Sequence, residues 1–230
     1  MHRMAFDRAF ECSRSDHFSV QVRRRNHMVK LDLKRKFRYL YNPTPKQPAL
    51  VNVPEMNFIM IDGEGDPNTS QQYQDALSVL YSVAYTLKFM LKKSELAIEY
   101  PVMPLEGLWW ADDVVQFCMT NKDALKWTMM IMQPEFVTDH HVQQAIEQVG
   151  RKRDLPTLSL LRFESFAEGL SAQIMHLGSY ADEAPTIQRL HVFIPENGYE
   201  LHGKHHEVYL SDPHKIAPAR LKTIIRQPVA

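Results

Sequence analysis

Leu108-Trp109-Trp110-Ala111-Asp112 and Val208-Tyr209-Leu210-Ser211-Asp212 share one pattern: apolar, aromatic, apolar, small, aspartate. A second matched pair follows. Leu125-Lys126 through Met132-Gln133-Pro134 corresponds to Leu221-Lys222 through Arg226-Gln227-Pro228. An internal repeat constrains architecture before any other feature does, because each copy is one supersecondary unit that buries its apolar face against its neighbour.

Outward from these pairs, both halves read strand, helix, strand, strand. In the first half, about 54–136, Met56-Asn57-Phe58-Ile59-Met60-Ile61 reads as a strand closed by the turn chemistry of Gly63, Gly65 and Pro67. Thr69 or Ser70 is placed to cap a long helix, in which Tyr73, Ala76, Leu77, Leu80, Ala84, Leu87 and Leu91 recur at three- and four-residue steps. Segments 96–103, 108–111 and 127–132 read as strands. Thr138 caps a connector helix over about 138–153, with Val142, Ile146 and Val149 on one face. In the second half, about 158–230, strands are expected at 170–177, 205–210 and 221–226, the last stopped by Gln227-Pro228. Between the first two lies a helix capped by Asp182, with Pro185 in its first turn and Ile187, Leu190 and Ile194 facing inward. Pro195 is expected to kink or remove the last turn. The fold class is therefore α+β: duplicated strand–helix–strand–strand units forming one antiparallel sheet with helices on one face and a central pocket at the seam.

Composition narrows the function classes. With 230 residues, 44% hydrophobic and 23% charged, the chain falls in the globular range. Lys+Arg and Asp+Glu balance at 27 each, so no basic field marks a nucleic-acid partner, and no helix-turn-helix segment is apparent. No apolar run reaches membrane-spanning length, and no signal-peptide core opens the chain. The two cysteines, Cys12 and Cys118, suit a reducing cytoplasm better than a disulfide. Residues 1–27 show neither helical nor strand period and read as a disordered extension, with Arg23-Arg24-Arg25 a solvated charge run. Met28 is a second possible start and opens the patterned domain of 28–230. The Pro-rich segment 42–48 reads as an exposed connector. The sequence sets no oligomeric state.

Side chains alternate along a strand. His205, Glu207 and Tyr209 therefore share one face, and His206, Val208 and Leu210 the other. The second face carries the branched aliphatics and suits a core, whereas the first is polar and aromatic and suits a pocket wall. By the repeat, Trp109 takes a place like that of Tyr209. A seam pocket would then hold Trp109 from one half with Glu207 and Tyr209 from the other. The aromatics would supply flat contact area, and the carboxylate would attract a cation or activate a water. Aromatic walls would raise the Glu207 pKa by desolvation. Trp110, His205, Tyr73 and Tyr180 are further candidate contacts: Trp110 adjoins Trp109, Tyr73 lies on the helix stripe, and Tyr180 follows the turn closing strand 170–177. His202, His205, His206 and His214 gather near Glu207. None has the helical i, i+4 spacing of the zinc proteases, and no metal or other cofactor is expected. Gly63-Glu64-Gly65 lacks the third glycine and the lysine of a phosphate loop, and Cys118 has no base close by in sequence.

Four stretches together resemble a known family. They are Val53-Pro54-Glu55-Met56 through Asp66-Pro67-Asn68, Met103-Pro104-Leu105-Glu106-Gly107-Leu108-Trp109-Trp110, His205-His206-Glu207-Val208-Tyr209-Leu210-Ser211-Asp212-Pro213, and Lys222-Thr223-Ile224-Ile225-Arg226-Gln227-Pro228. In this order they are similar to the GyrI-like small-molecule-binding domain proteins, over nearly everything from Met28 onward. The resemblance implies the duplicated fold, a central pocket, and binding of aromatic, often cationic hydrophobic compounds. It further implies one of two activities. One is hydrolytic opening of cyclopropanoid genotoxins, with Glu207 as general base and Tyr209 or another hydroxyl stabilising charge. The other is a non-catalytic drug-binding, sequestering or sensing role. Because residues 1–27 lack any periodic apolar pattern, their deletion is expected to leave the melting temperature within about 2 °C of the full chain's. A larger drop in a thermal melt shows that the segment docks.

Overall fold

The computed structural model describes residues 28–111 and 124–230; the expected extension at 1–27, both cysteines and Asp112 of the repeat lie outside them. In chain order the elements are β1 (Val29–Lys30), α1 (Leu33–Lys36), α2 (Arg38–Tyr41), β2 (Ala49–Val53), β3 (Met56–Glu64), α3 (Gln71–Lys93), β4 (Ile98–Glu99), β5 (Leu105–Trp110), β6 (Lys126–Gln133), α4 (Asp139–Gly150), β7 (Arg162–Phe166), β8 (Gly169–Leu177), α5 (Ala184–Glu196), β9 (His205–Tyr209) and β10 (Lys222–Pro228). Eight strands form one curled antiparallel sheet in the order β2-β8-β10-β9-β5-β6-β3-β7. The order is symmetric about the β9–β5 seam. There Gly107 lies opposite Glu207, Trp109 opposite His205 and Leu105 opposite Tyr209. The duplication therefore places an approximate two-fold axis through the Gly107–Glu207 pair.

Each half also lends a strand to the other. β2 precedes β3 in sequence yet pairs with β8, and β7 precedes β8 yet pairs with β3. Both edge strands escaped the sequence reading, which placed 42–48 in a connector and began the first half at 54. The strand expected at 96–103 is reduced to Ile98–Glu99, paired in parallel with β1. Pro101 and Pro104 offer no backbone N–H to a ladder. β3 runs past its expected end through Gly63, where a Cβ would fall within the Trp127 ring. β10 likewise continues through Pro228, opposite Ser171. Pro195 does not remove the last turn of α5. Pro195 stands one residue from the helix's end, and Asn197 still donates to the Phe193 and Ile194 carbonyls.

Helices α3 and α5 lie on the Trp109–Glu207 face. Tyr73 of α3 packs edge-on against Trp127, and Leu190 and Ile194 of α5 join Ile174 and Ile225 in an apolar cluster. α3 is a 23-residue helix capped by the Ser70 hydroxyl, which accepts from the Tyr73 amide. Its buried Ala76, Leu80, Ala84, Leu87 and Leu91 follow the expected stripe. α4 packs against α3 through Val142, Ala145 and Val149.

On the other sheet face the expectation of a purely apolar core is corrected. Val208 is fully buried there, but so are His206 and a set of charged partners. His206 Nδ1 lies 3.0 Å from Glu168 Oε1, and its Nε2 lies 3.1 Å from Glu106 Oε2 at an angle too oblique for a hydrogen bond. Arg226 donates to Glu168 (3.0 Å), to Gln173 (3.1 and 3.2 Å) and to the Leu40 carbonyl (3.1 Å). Tyr41 donates to Glu106 at 2.8 Å, and Gln173 donates to the Tyr39 carbonyl at 2.8 Å. The network thus bolts α2 across the sheet. Burial alone would lower the His206 pKa, but Glu168 and Glu106 outweigh it and raise the value to about 9. Burial would likewise raise Glu168, but His206 and Arg226 hold it near 2.

Removing one member of such a network strands its partner's charge, so Arg226→Met is expected to destabilise the fold by about 3–5 kcal/mol in denaturant melts. The pH dependence follows from linkage. The raised His206 contributes stability fully below about pH 6.5, and that contribution is lost as pH rises through about 9. The depressed Glu168 contributes above about pH 4.5 and loses its share as pH falls through about 2. Melting temperatures of His206→Gln and wild type are expected to converge between pH 7 and 10.

Candidate functional site

The β5–β9 seam gathers most of the candidate residues. Extended backbone at β9 turns His205, Glu207 and Tyr209 to the helix-bearing face, as alternation requires, and the β5 register adds Trp109 beside them. Glu207 is held from two sides: its Oε1 lies 3.1 Å from His205 Nε2, and its Oε2 accepts from the Tyr209 hydroxyl at 2.7 Å. Trp109 Nε1 donates to the same Tyr209 oxygen at 3.1 Å. The chain Trp109–Tyr209–Glu207–His205 therefore crosses from one half of the molecule to the other. Only 15% of the Glu207 side chain is exposed, and 4% of that of His205.

The starts of the two long helical segments complete the aromatic wall. Tyr73, in the first turn of α3, lies with its ring centroid 6.2 Å from that of Trp109. Tyr180, in a short 3-10 turn before α5, meets Tyr209 edge-on at 5.6 Å. Burial and then the Glu207 carboxylate push the Tyr73 and Tyr209 hydroxyls up, while burial, then Glu183 and Glu207, raise Tyr180 to about 12. All three phenols stay protonated near neutrality; the Tyr209 proton is committed to Glu207.

The sequence reading missed Glu183. It had assigned Asp182 to cap α5, but the Asp182 carboxylate accepts from the Ser179 hydroxyl at 2.6 Å, and Glu183 occupies the capping position without a side-chain cap bond. Instead, the Glu183 carboxyl, 3% exposed, turns onto Glu207. Burial first, then the Glu207 charge, raises its pKa to about 9, partly offset by Thr223. For Glu207 the expected upward shift is corrected to a downward one. Burial would raise it, but His205 and Tyr209 hydrogen-bond the ionised form and outweigh it. Burial and the Glu207 charge favour the protonated form of Glu183, while the donors around Glu207 favour its ionised form. The available signal was an acid directly before Ala184-Pro185, facing the seam of the repeat.

Of the expected site residues, the structure brings Trp109, His205, Glu207, Tyr209, Tyr73 and Tyr180 together. Trp110 is not among them: alternation sends it to the opposite face, where Lys204 Nζ stands 3.3 Å from its ring centroid. His206 belongs to the buried network of that face. Among the described residues no three histidine, cysteine, aspartate or glutamate side chains are grouped to hold a metal, and no helix is long and apolar enough to cross a membrane. A cleft of about 490 Å³ lies elsewhere, between α3 and the end of α4, lined by Tyr81, Tyr85, Phe89 and Arg153. No buried acid or base lines it.

A family model described as a GyrI-like small molecule binding domain matches residues 46–230. Among solved structures, a conserved protein from Listeria innocua is 39% identical with a TM-score of 0.80, the match covering 87% of this chain and all of that one. Two structures of a hydrolase from Listeria innocua are each 38% identical, with TM-scores of 0.76 and 0.78 and the same coverage. No protein with a curated description matches.

The raised acid has a measurable consequence for stability. A carboxyl with a raised folded pKa carries no penalty below about pH 4.5 and an increasing one as pH rises toward about 9. Glu183→Gln is neutral at every pH. Its melting temperature is expected to exceed wild type's by a margin that widens between pH 5 and 9. A constant margin in differential scanning calorimetry would place the Glu183 titration elsewhere.

Proposed function

Because the chain belongs to the GyrI-like small-molecule-binding domain family, we propose that it binds aromatic or cationic hydrophobic compounds at the β5–β9 seam. We further propose that it hydrolyses cyclopropanoid electrophiles among them, protecting the cell from within the cytoplasm. The single observation that carries this reading is a carboxylate, Glu207, held ionised among Trp109, Tyr73, Tyr180 and Tyr209. A flat ligand between these rings gains contact area at little entropic cost. The hydrolase from Listeria innocua, similar over all of its own length, supports the catalytic reading.

In this reading Glu207 is the general base. It takes a proton from a water that attacks the strained cyclopropane carbon. The carbon–carbon bond breaks toward the conjugated carbonyl, whose oxygen gains the electron pair and is protonated as the phenol forms. Tyr209 donates to Glu207 and accepts from Trp109, so its part is to orient the base. Tyr73 and Tyr180 are the hydroxyls placed to meet charge on the substrate oxygen. Holding the substrate against the base contributes through orientation. A non-catalytic sequestering or sensing role uses the same groups, since a carboxylate ringed by aromatics suits a cation equally well.

Incubation with a cyclopropanoid alkylator and mass spectrometry separates the two: a hydrolase yields product heavier by one water. Glu207→Gln keeps the shape and removes the base, so turnover is expected to fall by about 10²–10⁴-fold. Binding of a neutral analogue is expected to persist, and binding of a cationic one to weaken. Wild type that binds the alkylator and returns it unchanged overturns the hydrolase reading and leaves sequestration.

A further inference from the structure

Glu183 is costly where it sits. Its carboxyl is buried, it adjoins a second carboxyl that is already ionised, and its Oε1 has no hydrogen-bond partner among the described residues. A glutamine would fill the same space without the electrostatic conflict, and structure alone gives no reason for an acid. The groups facing it explain where the proton resides. From β9 come Glu207, His205 and Tyr209; from β10, Thr223; from the turn before α5, Tyr180. Tyr73 and Tyr81 of α3 and Asp212 beyond β9 add no positive charge, and burial, then the His205 charge, lowers the pKa of His191 of α5. Glu207 draws hydrogen bonds from His205 and Tyr209, whereas neither Glu183 Oε1 nor the Thr223 hydroxyl has a hydrogen-bond partner among the described residues.

We propose that Glu183 determines the charge specificity of the seam site: a monocationic aromatic ligand enters by displacing the proton of Glu183, and a neutral one enters with that proton in place. The proposal rests on the ligand-binding reading above and deepens it, independently of catalysis. The exchange balances. One positive charge arrives on the ligand, one leaves as a proton to solvent, and the net charge of the buried site does not change. The carboxylate created, with its free oxygen, then pairs with the cation between the aromatic rings, and Glu207 keeps its two donors. No positive charge has to be added to the apolar seam, which is the expensive step in burying a cation. The same site can thus accept molecules of one shape and two charges.

The test uses the full chain and a pair of probes of nearly one shape, N-methylacridinium and acridine, at pH 7 to 8.5. Isothermal titration calorimetry in phosphate and in Tris reads the protons exchanged from the difference in buffer ionisation heat. Release of close to one proton with N-methylacridinium and none with acridine is expected. The affinity for N-methylacridinium should rise by about tenfold per pH unit across this range, and that for acridine should stay flat. In Glu183→Gln the cation's proton release and pH slope should vanish while acridine still binds. Equal proton counts for the two probes in wild type overturn the proposal without any variant. Persistence of the release in a folded Glu183→Gln also overturns it. Failure of both probes to bind wild type removes the ligand-binding reading itself, and the proposal with it. Binding of both with no proton exchange removes the proposal alone.

Discussion

Two links of two residues each hold the architecture. Val53 ends β2 and Met56 begins β3, yet six strand spacings separate these strands in the sheet order. In a flat sheet that separation would be about 29 Å, while three Cα steps reach at most about 11 Å. Phe166 and Gly169, the end of β7 and the start of β8, impose the same constraint from the other half. The sheet has to curl until its ends approach. With both edge strands exchanged, neither half has a complete sheet of its own, and the seam becomes the centre of one structure.

The curl divides the buried polar groups into two clusters of opposite character. On one face Glu106, Glu168, His206 and Arg226 offer two acids and two bases, with Tyr41, Gln173 and the Leu40 carbonyl filling out the hydrogen bonds. Glu168 itself comes from one of the short links, so the constraint that bends the sheet also delivers the network's anion. On the other face Glu207 and Glu183 lie among phenols and an indole, with a surplus of acid. Opposite charges packed together offset the cost of burying them, whereas two carboxyls side by side add to it. The contrast separates a charge-paired network from a carboxyl-rich one.

Much of this was legible in the residues. The period of α3, the duplication, and the alternation that sets Glu207 beside Tyr209 are all local patterns, and each appears where the pattern puts it. Trp109 was legible through the repeat, because the two-fold relation carries Tyr209 onto it. What escaped depended on distant partners. β2 and β7 are short strands whose ladders lie in the opposite half, so no local period announces the pairing. Glu106, Glu168 and Arg226 read as ordinary charges until a fold brings them from 38 to 100 residues apart into contact with one another or with His206. Glu183 was hidden by its neighbour, since Asp182 looked like the better cap. The Glu207 shift was misjudged for a related reason: desolvation is visible in composition, while the donors that overcome it are visible only in space.

The central strand pair also bears on how the molecule is made. β5 leaves the ribosome about a hundred residues before β9, so at 5–20 residues per second its edge waits roughly 5–20 s for a partner. During that interval Leu105, Leu108 and Trp109 form an open, apolar edge of the kind that captures other chains. The duplication sharpens the hazard, because the β5 of a second nascent chain mimics β9. Yet such a pairing would set two Glu106 carboxyls in the place where one now meets His206. The imidazole that completes the buried network thus also distinguishes a finished chain from two unfinished ones.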